Sequence, residues 1–367
     1  MEFKAAVLEK VGAPLVVRSV RAAPLGPFDV GVRIRASGLC HTDLEAMLGS
    51  VAARMPIVLG HEGAGVVEAV GASVTTVKPG DHVICSWNPH CGHCFYCEQD
   101  VPILCDRHIA AHRDGTIDGG DPRLTLDNKP LHHFMTLATH AEYAVIAEAS
   151  AIKVPKEIPF DRACLIGCGV MTGVGGAVRM ARVTPGASAL VVGCGAVGLN
   201  AIQGAVIARA EPIIAVDVVD ARLELARKLG ATELVNPKRD DAVAKIRALT
   251  HGRGADFAFE CGGGEAPLQL TIEAARPGAT IVILGKTDPN KMVSLRFGSL
   301  MGEKRIVRSS YGNARPQRDF PWLARLYLEG KLKLDEMIDR RLTLDEINDG
   351  FDGVKNSTVV RAVIQFA

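Results

Sequence analysis

Ser188-Ala-Leu-Val-Val192 runs directly into Gly193-Cys194-Gly195-Ala196-Val197-Gly198, and the reading of this stretch decides the fold. A short apolar run bounded by glycine reads as a buried strand. The glycine pattern G-x-G-x-x-G is a weak signal by itself in a chain with 38 glycines. Its surroundings strengthen it. A helical pattern, Gly198–Arg209, follows, so unpaired N–H groups and the positive end of the helix dipole would face a pyrophosphate. Asp217 closes the next strand, Ile213–Val216, 19 residues after Gly198. A carboxylate there can accept both hydroxyls of an adenosine ribose and would repel a 2′-phosphate, so NAD is favoured over NADP. Gly193, Gly195, Ala196, Val197, Gly198 and Asp217 are therefore the candidate cofactor residues. An aspartate that merely caps a helix would explain Asp217 but not the glycine loop upstream of it. Cys194, inside the loop, reads as a small filler.

Outward from this loop the strand–helix rhythm continues. Asp220–Leu229, Asp241–Leu249 and Gly264–Ala275 have helical spacing, and Glu233–Val235, Asp256–Glu260 and Thr280–Leu284 are short strands. Such alternation with short loops specifies a parallel, doubly wound sheet. The chain before about residue 165 reads differently. Ala5–Leu8, Leu15–Val20, Val30–Ser37, Gly63–Val70 and His82–Ile84 are β-branched runs punctuated by Pro24, Gly26, Pro27 and the turn Lys78-Pro79-Gly80-Asp81. The tail mixes two amphipathic helices, Gln317–Glu329 and Leu344–Lys355, with a last strand, Val359–Phe366. The second domain thus reads as an insertion into the first. The glycines outside the loop are assigned to turns.

The 367 residues point to about two domains. With 42 basic against 41 acidic side chains, there is no electrostatic case for a nucleic-acid partner or a membrane surface. The N-terminal Met1-Glu2-Phe3-Lys4 begins a strand rather than a signal segment. No apolar run is expected to approach the roughly 20 residues of a membrane helix. Ten cysteines with no secretory signal imply a reducing, cytoplasmic setting.

Four of those cysteines form a ladder, Cys91-x2-Cys94-x2-Cys97-x7-Cys105. Thiolates hold Zn²⁺ tetrahedrally, and two-residue gaps let a short loop wrap its sulfurs around one ion. A four-sulfur shell is closed, so this zinc would be structural. A disulfide pair is the ordinary alternative, disfavoured by the crowding and the missing secretory signal. Elsewhere Cys40 precedes His41-Thr42-Asp43, His61 lies in Gly60-His61-Glu62-Gly63, and Cys168 lies in Gly167-Cys168-Gly169. Two thiolates and an imidazole would leave a fourth zinc position open, the catalytic arrangement. Taken singly, each of these residues could equally be core. Cys85, Cys164, Cys194 and Cys261 read as buried core thiols.

The order of these motifs resembles that of the zinc-containing medium-chain alcohol dehydrogenases, over essentially the whole chain. His132-His133-Phe134 before Ala141-Glu142-Tyr143 is similar to the liver-type and class III-like branch, and within it to bacterial aryl- and long-chain alcohol dehydrogenases. The resemblance implies a GroES-like β-rich catalytic domain, 1–169 and 311–367, with an inserted doubly wound Rossmann domain, 170–310. It implies two zinc ions per chain, a catalytic one on Cys40, His61 and Cys168 and a structural one on the ladder. Asp43 would hold the far nitrogen of His61, and Glu62 would sit behind the metal. Thr172 would touch the nicotinamide, Arg222 the adenosine ribose, and His41 and Arg361 the pyrophosphate. The implied reaction converts a primary alcohol to its aldehyde. The metal lowers the pKa of the alcohol, Thr42 takes its proton toward a ribose hydroxyl, and hydride passes to NAD. A homodimer or homotetramer is expected.

Two positions depart from the family pattern. Glu45 stands where the liver-type pattern has a proton-relaying histidine, and a carboxylate with an ordinary pKa near 4.3 is poorly matched to neutral work. It is either a replacement relay or a solvated glutamate. Lys286 stands where the family often has an apolar residue, and would either attract an anionic substrate group or snorkel into solvent. Trp87, Phe134 and Met135 match positions lining the substrate pocket, and their bulk favours apolar or aromatic alcohols, though each could also be core. Arg107 and Arg113 lie near, but not at, the offset from which class III enzymes hold glutathione. Oxidation of S-(hydroxymethyl)glutathione or another thiol adduct of formaldehyde is therefore the alternative reaction. A non-catalytic NAD- and zinc-binding protein is the alternative of another class, disfavoured by the open ligand set.

Overall fold

Strand Asp29–Gly38 organises the first half of the molecule in the computed structural model, which describes residues 1–288 and 290–367. Its β-branched run pairs antiparallel with Gly63–Val70, Tyr143–Ala147 and Arg361–Gln365. The register puts Ser37 opposite Gly63, and Gly38 opposite Val363. Gly38 N–H donates to Glu62 O and Leu39 N–H to Ala362 O, each at 2.9 Å. Cys40, His61 and Arg361 are thereby gathered at one end of the sheet, although the outermost two are 321 positions apart in the chain. The sheet is completed by His82–Cys85 and Ala151–Lys153 on one side and Ile338–Leu342 on the other. A closed barrel accompanies it, built from Glu2–Leu8, Val16–Ala22, Leu124–Leu126, Lys129–His133 and Ile57–Val58.

The chain divides into two compact units, Met1–Cys168 with Arg315–Ala367, and Gly169–Ala314. The second is a six-stranded, all-parallel sheet in the order Glu233–Val235, Ile213–Val216, Ala189–Val192, Ala255–Glu260, Ala275–Ile283, Arg305–Arg308. In chain order this is 3-2-1-4-5-6, the doubly wound arrangement. Ala189–Val192 and Ile213–Val216 are buried at every position, as strands covered on both faces must be.

Three helices differ from the sequence expectation. Phe160–Ala181 is one apolar helix of 22 residues whose most apolar 18-residue window has mean hydropathy 1.5, so a run long and apolar enough to cross a membrane does exist. Its most apolar window is 72% buried within the protein, which makes it a core helix. Its glycines hide it from a propensity reading, and they are not turn residues. A Cβ on Gly173 would lie 2.4 Å from Val197 O and 2.6 Å from Ala201 N, so glycine lets this helix pack directly on the backbone of helix Ala196–Ile207. Two short helices, His41–Leu48 and Asp106–Asp114, were also illegible, because their residues read first as ligands and charges.

At the base of the parallel sheet, Asp256 accepts hydrogen bonds from Ser188 N (2.8 Å), Ser188 Oγ (2.6 Å) and Arg276 Nε (2.5 Å). Partial burial raises the carboxyl pKa, but the serine and arginine outweigh it and hold it below the ordinary value. A depressed folded-state pKa contributes stability that is present above the unfolded pKa and lost as pH falls through the folded one. Asp256→Asn should therefore cost about 1–2 kcal/mol near neutrality. In urea titrations at stepped pH, that deficit should shrink below about pH 4, where the unfolded carboxylate protonates first, and vanish once pH falls through the lower native value.

Candidate active site

Cys40 ends the extended segment after Asp29–Gly38 and caps helix His41–Leu48. Asp43, in the first turn, is completely buried and its carboxylate takes three groups. It accepts from Cys40 N–H at 3.3 Å, Gly60 N–H at 2.9 Å and His61 Nδ1 at 3.2 Å. The Nδ1 contact turns Nε2 of His61 the other way, and that atom is buried with no hydrogen-bond partner. An orphaned imidazole nitrogen in the interior costs free energy unless something fills the gap. What faces it is a pair of sulfurs. The ligating atoms of Cys40, His61, Glu62 and Cys168 all lie within 4.8 Å of one another. Cys168 reaches the group from a π-helical turn, Ile166–Val170, a widened turn often found at functional sites.

The electrostatics suit a cation. A hydrogen bond from Cys168 outweighs burial and, with His61 and Arg361, holds the Cys40 thiol well below its usual pKa. Burial disfavours a charged His61 ring, but Asp43 and Cys40 outweigh it and push the pKa up to about 10. The group thus carries thiolate character before any metal is counted. Behind it Glu62, fully buried, is ion-paired with Arg361. Arg361 was expected on a pyrophosphate. The structure buries it to 5% exposure against Glu62, because the register of strand Arg361–Gln365 carries it in behind Cys40. His41 is exposed, and Thr42 and Glu45 are half-buried on the same helix.

The ladder closes on itself. Cys91, Cys94, Cys97 and Cys105 also bring their sulfurs within 4.8 Å of one another, and none of the ten cysteines is in a disulfide. Cys91 and Cys97 sulfurs are 4.0 Å apart. Four sulfurs about 2.3 Å from a tetrahedral ion stand about 3.8 Å from each other, whereas a disulfide would require about 2.05 Å. Backbone N–H groups of Cys97 and Asp106 lower Cys94 to about 6, while burial pushes Cys97 up to about 12. Cys85, Cys164 and Cys194 are fully buried, as expected of core thiols, whereas Cys261 is half-buried.

In the parallel unit the glycine loop has the shape of a cradle. Gly193 has φ +94°, and a Cβ on Gly198 would fall 1.8 Å from Gly193 O. Gly195 precedes helix Ala196–Ile207, no side chain caps that helix, and a Cβ on Gly195 would meet nothing within 4 Å. Open space therefore lies before uncapped N–H groups. Asp217 is 7% exposed and accepts from Cys194 N–H (2.7 Å) and Val219 N–H (2.9 Å), so it fixes the loop from the neighbouring strand. Each carboxylate oxygen keeps a further lone pair for a ribose. Arg222 is near enough to lower the Cys194 thiol, which burial otherwise raises. Thr172 is half-buried and Lys286 exposed.

Comparison with known proteins agrees with this geometry. Residues 26–156 match the alcohol dehydrogenase GroES-like domain, and residues 196–329 the zinc-binding dehydrogenase domain. The chain is 37% identical to an alcohol dehydrogenase class-3 of Cereibacter sphaeroides, covering 100% of both. It is 36% identical to the S-(hydroxymethyl)glutathione dehydrogenase of Candida maltosa, over 99% of this chain and 97% of that one. Among solved structures, benzyl alcohol dehydrogenase from Acinetobacter calcoaceticus matches with a TM-score of 0.94 and 33% identity over the full length of both. This chain belongs to the zinc-containing medium-chain alcohol dehydrogenases. It is accordingly an NAD-dependent zinc oxidoreductase, and the two thiol-bearing groups and the glycine cradle fit its two zinc ions and its dinucleotide.

One part of this dehydrogenase was not visible in the sequence. Phe134, buried, sets its ring edge-on to the His61 imidazole, with centroids 6.0 Å apart at 71°. His112 follows at 6.5 Å from Phe134, His108 stacks on His112 at 6.1 Å, and Trp87 lies 5.9 Å from His108. Burial lowers His108 to about 3, so its ring is neutral. Both histidines come from helix Asp106–Asp114, which Cys105 caps. Their i, i+4 spacing after the last ladder cysteine was the available signal, but nothing in the sequence said what the helix would face. Met135, with φ +47°, is buried beside Phe134 in the same core cluster.

Metal analysis separates the two thiol groups. Cys97→Ala should lose one zinc per chain and lower the melting temperature, and Cys40→Ala should remain folded with one zinc and no dehydrogenase activity. Gly198→Val, which crowds Gly193 O, should abolish NAD binding in a fluorescence titration while leaving both zinc ions in place.

Proposed function

We propose that this chain interconverts a primary, apolar or aromatic alcohol and its aldehyde. The observation carrying this reading is the wall of rings that starts at His61. A side chain or substrate that packs beside Phe134 gains from apolar contact and from edge-to-face geometry, and Trp87 and Met135 extend the apolar surface. The likeness to a benzyl alcohol dehydrogenase supports the same choice. Zinc, when bound by Cys40, His61 and Cys168, supplies the Lewis acidity that makes the alcohol a proton donor near neutral pH. Thr42, two residues beyond Cys40, accepts that proton. Asp43 holds His61 in the tautomer that offers Nε2, and Glu62 with Arg361 fills the space behind. Gly193, Gly195, Ala196, Val197, Gly198, Asp217 and Arg222 would hold NAD, with Thr172 against the nicotinamide, and the dinucleotide would supply the hydride acceptor.

Glu45 passes the proton outward in place of a histidine. It is half-buried, three residues after Thr42 on the same helix. Glu45→Gln should slow alcohol oxidation several-fold near neutral pH, and an unaltered pH–rate profile would remove it from the path. Lys286 is exposed, so Lys286→Ala should lower turnover of neutral and carboxylate-bearing alcohols equally.

Full-length relatives named for S-(hydroxymethyl)glutathione favour a second reading. The arginines that would serve it are engaged elsewhere. Arg113 pairs with Asp114 at 3.1 Å, and Arg107 lies 3.8 Å from Asp118. A panel of aromatic, long-chain and terpenoid alcohols with NAD, run with and without glutathione, tests the choice. Turnover of aromatic alcohols without thiol is the expected result. Turnover confined to formaldehyde plus glutathione would establish the second reading instead. We place the protein in the cytoplasm, in keeping with ten cysteines that form no disulfide, and expect an assembly of two or four copies. Met292, Phe297 and Met301, which are 88%, 76% and 61% exposed, are the surface that association would cover.

A further inference from the structure

Beside Asp43 lies a separate run of hydrogen-bonded groups in the core that no part of the reaction requires. Ser37, Thr139 and His140 are each fully buried. Ser37 Oγ lies 2.9 Å from Thr139 Oγ1 and 3.0 Å from His140 Nδ1. The other nitrogen of that ring, Nε2, has no hydrogen-bond partner and lies 3.9 Å from Asp43 Oδ1. A buried hydroxyl, a second hydroxyl and an imidazole are a costly way to fill a core unless they are organised toward something.

The chemistry of each group fixes the direction of the chain. The Asp43 carboxylate is an acceptor only, so the ring nitrogen facing it must carry a hydrogen, since two lone pairs would repel. Burial lowers His140 to about 4, so the ring is neutral and has a single N–H. With Nε2 protonated, Nδ1 is an acceptor and takes the one hydrogen of Ser37. Ser37 Oγ in turn accepts from Thr139. The run therefore reads Thr139 O–H to Ser37, Ser37 O–H to His140, and His140 N–H toward the same oxygen that holds His61 Nδ1 and Gly60 N–H. The backbone fixes the pieces in register. Thr139 N–H donates to Gly60 O and His140 N–H to Leu59 O, each at 3.0 Å, and these are the two residues before His61. The edge of the His140 ring rests on Phe351 at 5.9 Å.

We propose that His140 is a positioning residue for the catalytic zinc: its Nε2–H, oriented by Ser37 and Thr139, holds Asp43 in the rotamer that aims His61 Nε2 at the metal. This rests on the assignment of Cys40, His61 and Cys168 as the zinc ligands. Outer partners of a ligating histidine govern its ring orientation, and their loss typically weakens metal binding about 10–100-fold. His140 acts one group further out, so the low end, about 10-fold, is the expected size.

The experiment is zinc retention in the full-length protein against a competing chelator, with the visible spectrum of the Co²⁺-substituted protein as a second readout. His140→Phe fills the same space without a donor. It should release one of its two zinc ions about 10-fold faster and shift the Co²⁺ bands, with the ladder zinc unchanged. His140→Gln, whose amide nitrogen can occupy the place of Nε2, should restore both to near wild-type values, and Ser37→Ala should fall between. Wild-type retention and an unshifted spectrum in His140→Phe would overturn the proposal. So would a Gln variant no better than the Phe variant. If His140→Phe fails to fold by circular dichroism, Ser37→Ala decides, and an unaltered metal site in it counts against the chain. Loss of zinc from the ladder alone in Cys40→Ala would instead overturn the ligand assignment underneath.

Discussion

One carboxylate holds the catalytic centre together. Asp43 closes the first turn of its own helix through Cys40 N–H, ties that helix to the segment Gly60–His61, and turns the imidazole outward. Two candidate zinc ligands twenty-one residues apart are thus set by a single buried anion. Its burial would be prohibitive without partners, and it has three donors and a fourth ring nitrogen close by. Remove that anion and Cys40 and His61 lose their common reference, whatever the strands beneath them do.

The cysteine lobe connects to this centre by packing. Cys105 contributes a sulfur to the ladder and also begins helix Asp106–Asp114, whose His108 and His112 stand between Trp87 and Phe134. The lobe is anchored elsewhere by Arg315, which bonds Asp100 at 2.9 Å just past the third ladder cysteine. A closed metal shell is thereby the support of the wall that shapes the substrate's surroundings, without touching the chemistry.

How much of this was legible in the sequence depends on the kind of signal. The doubly wound unit was readable because its strands are apolar throughout and its glycine loop carries a steric requirement at Gly198. The ladder was readable from spacing alone. Cys40, His61 and Cys168 were readable only as members of an ordered family pattern, since their proximity is created by strand register. The pairing of Arg361 with Glu62 was hidden for the same reason: it follows from a strand inserted antiparallel beside Asp29–Gly38. Trp87, Phe134 and Met135 were named from the family pattern, but His108 and His112, which join the rings, and the Thr139–Ser37–His140 run were invisible, because their closeness is purely tertiary. The long helix Phe160–Ala181 was hidden by glycines that serve packing against another helix.

The strand Arg361–Gln365 also has a bearing on how the molecule comes into being. It lies between Asp29–Gly38 and Ile338–Leu342, and it supplies the cation that neutralises Glu62 behind the metal ligands. During vectorial synthesis the parallel unit, continuous from Gly169 to Ala314, can condense as soon as it clears the ribosome. The metal-binding half cannot, because its sheet has a gap and Glu62 an unanswered charge until residue 361 emerges. The two units therefore differ in what completes them: one needs nothing after Ala314, the other waits for its final strand.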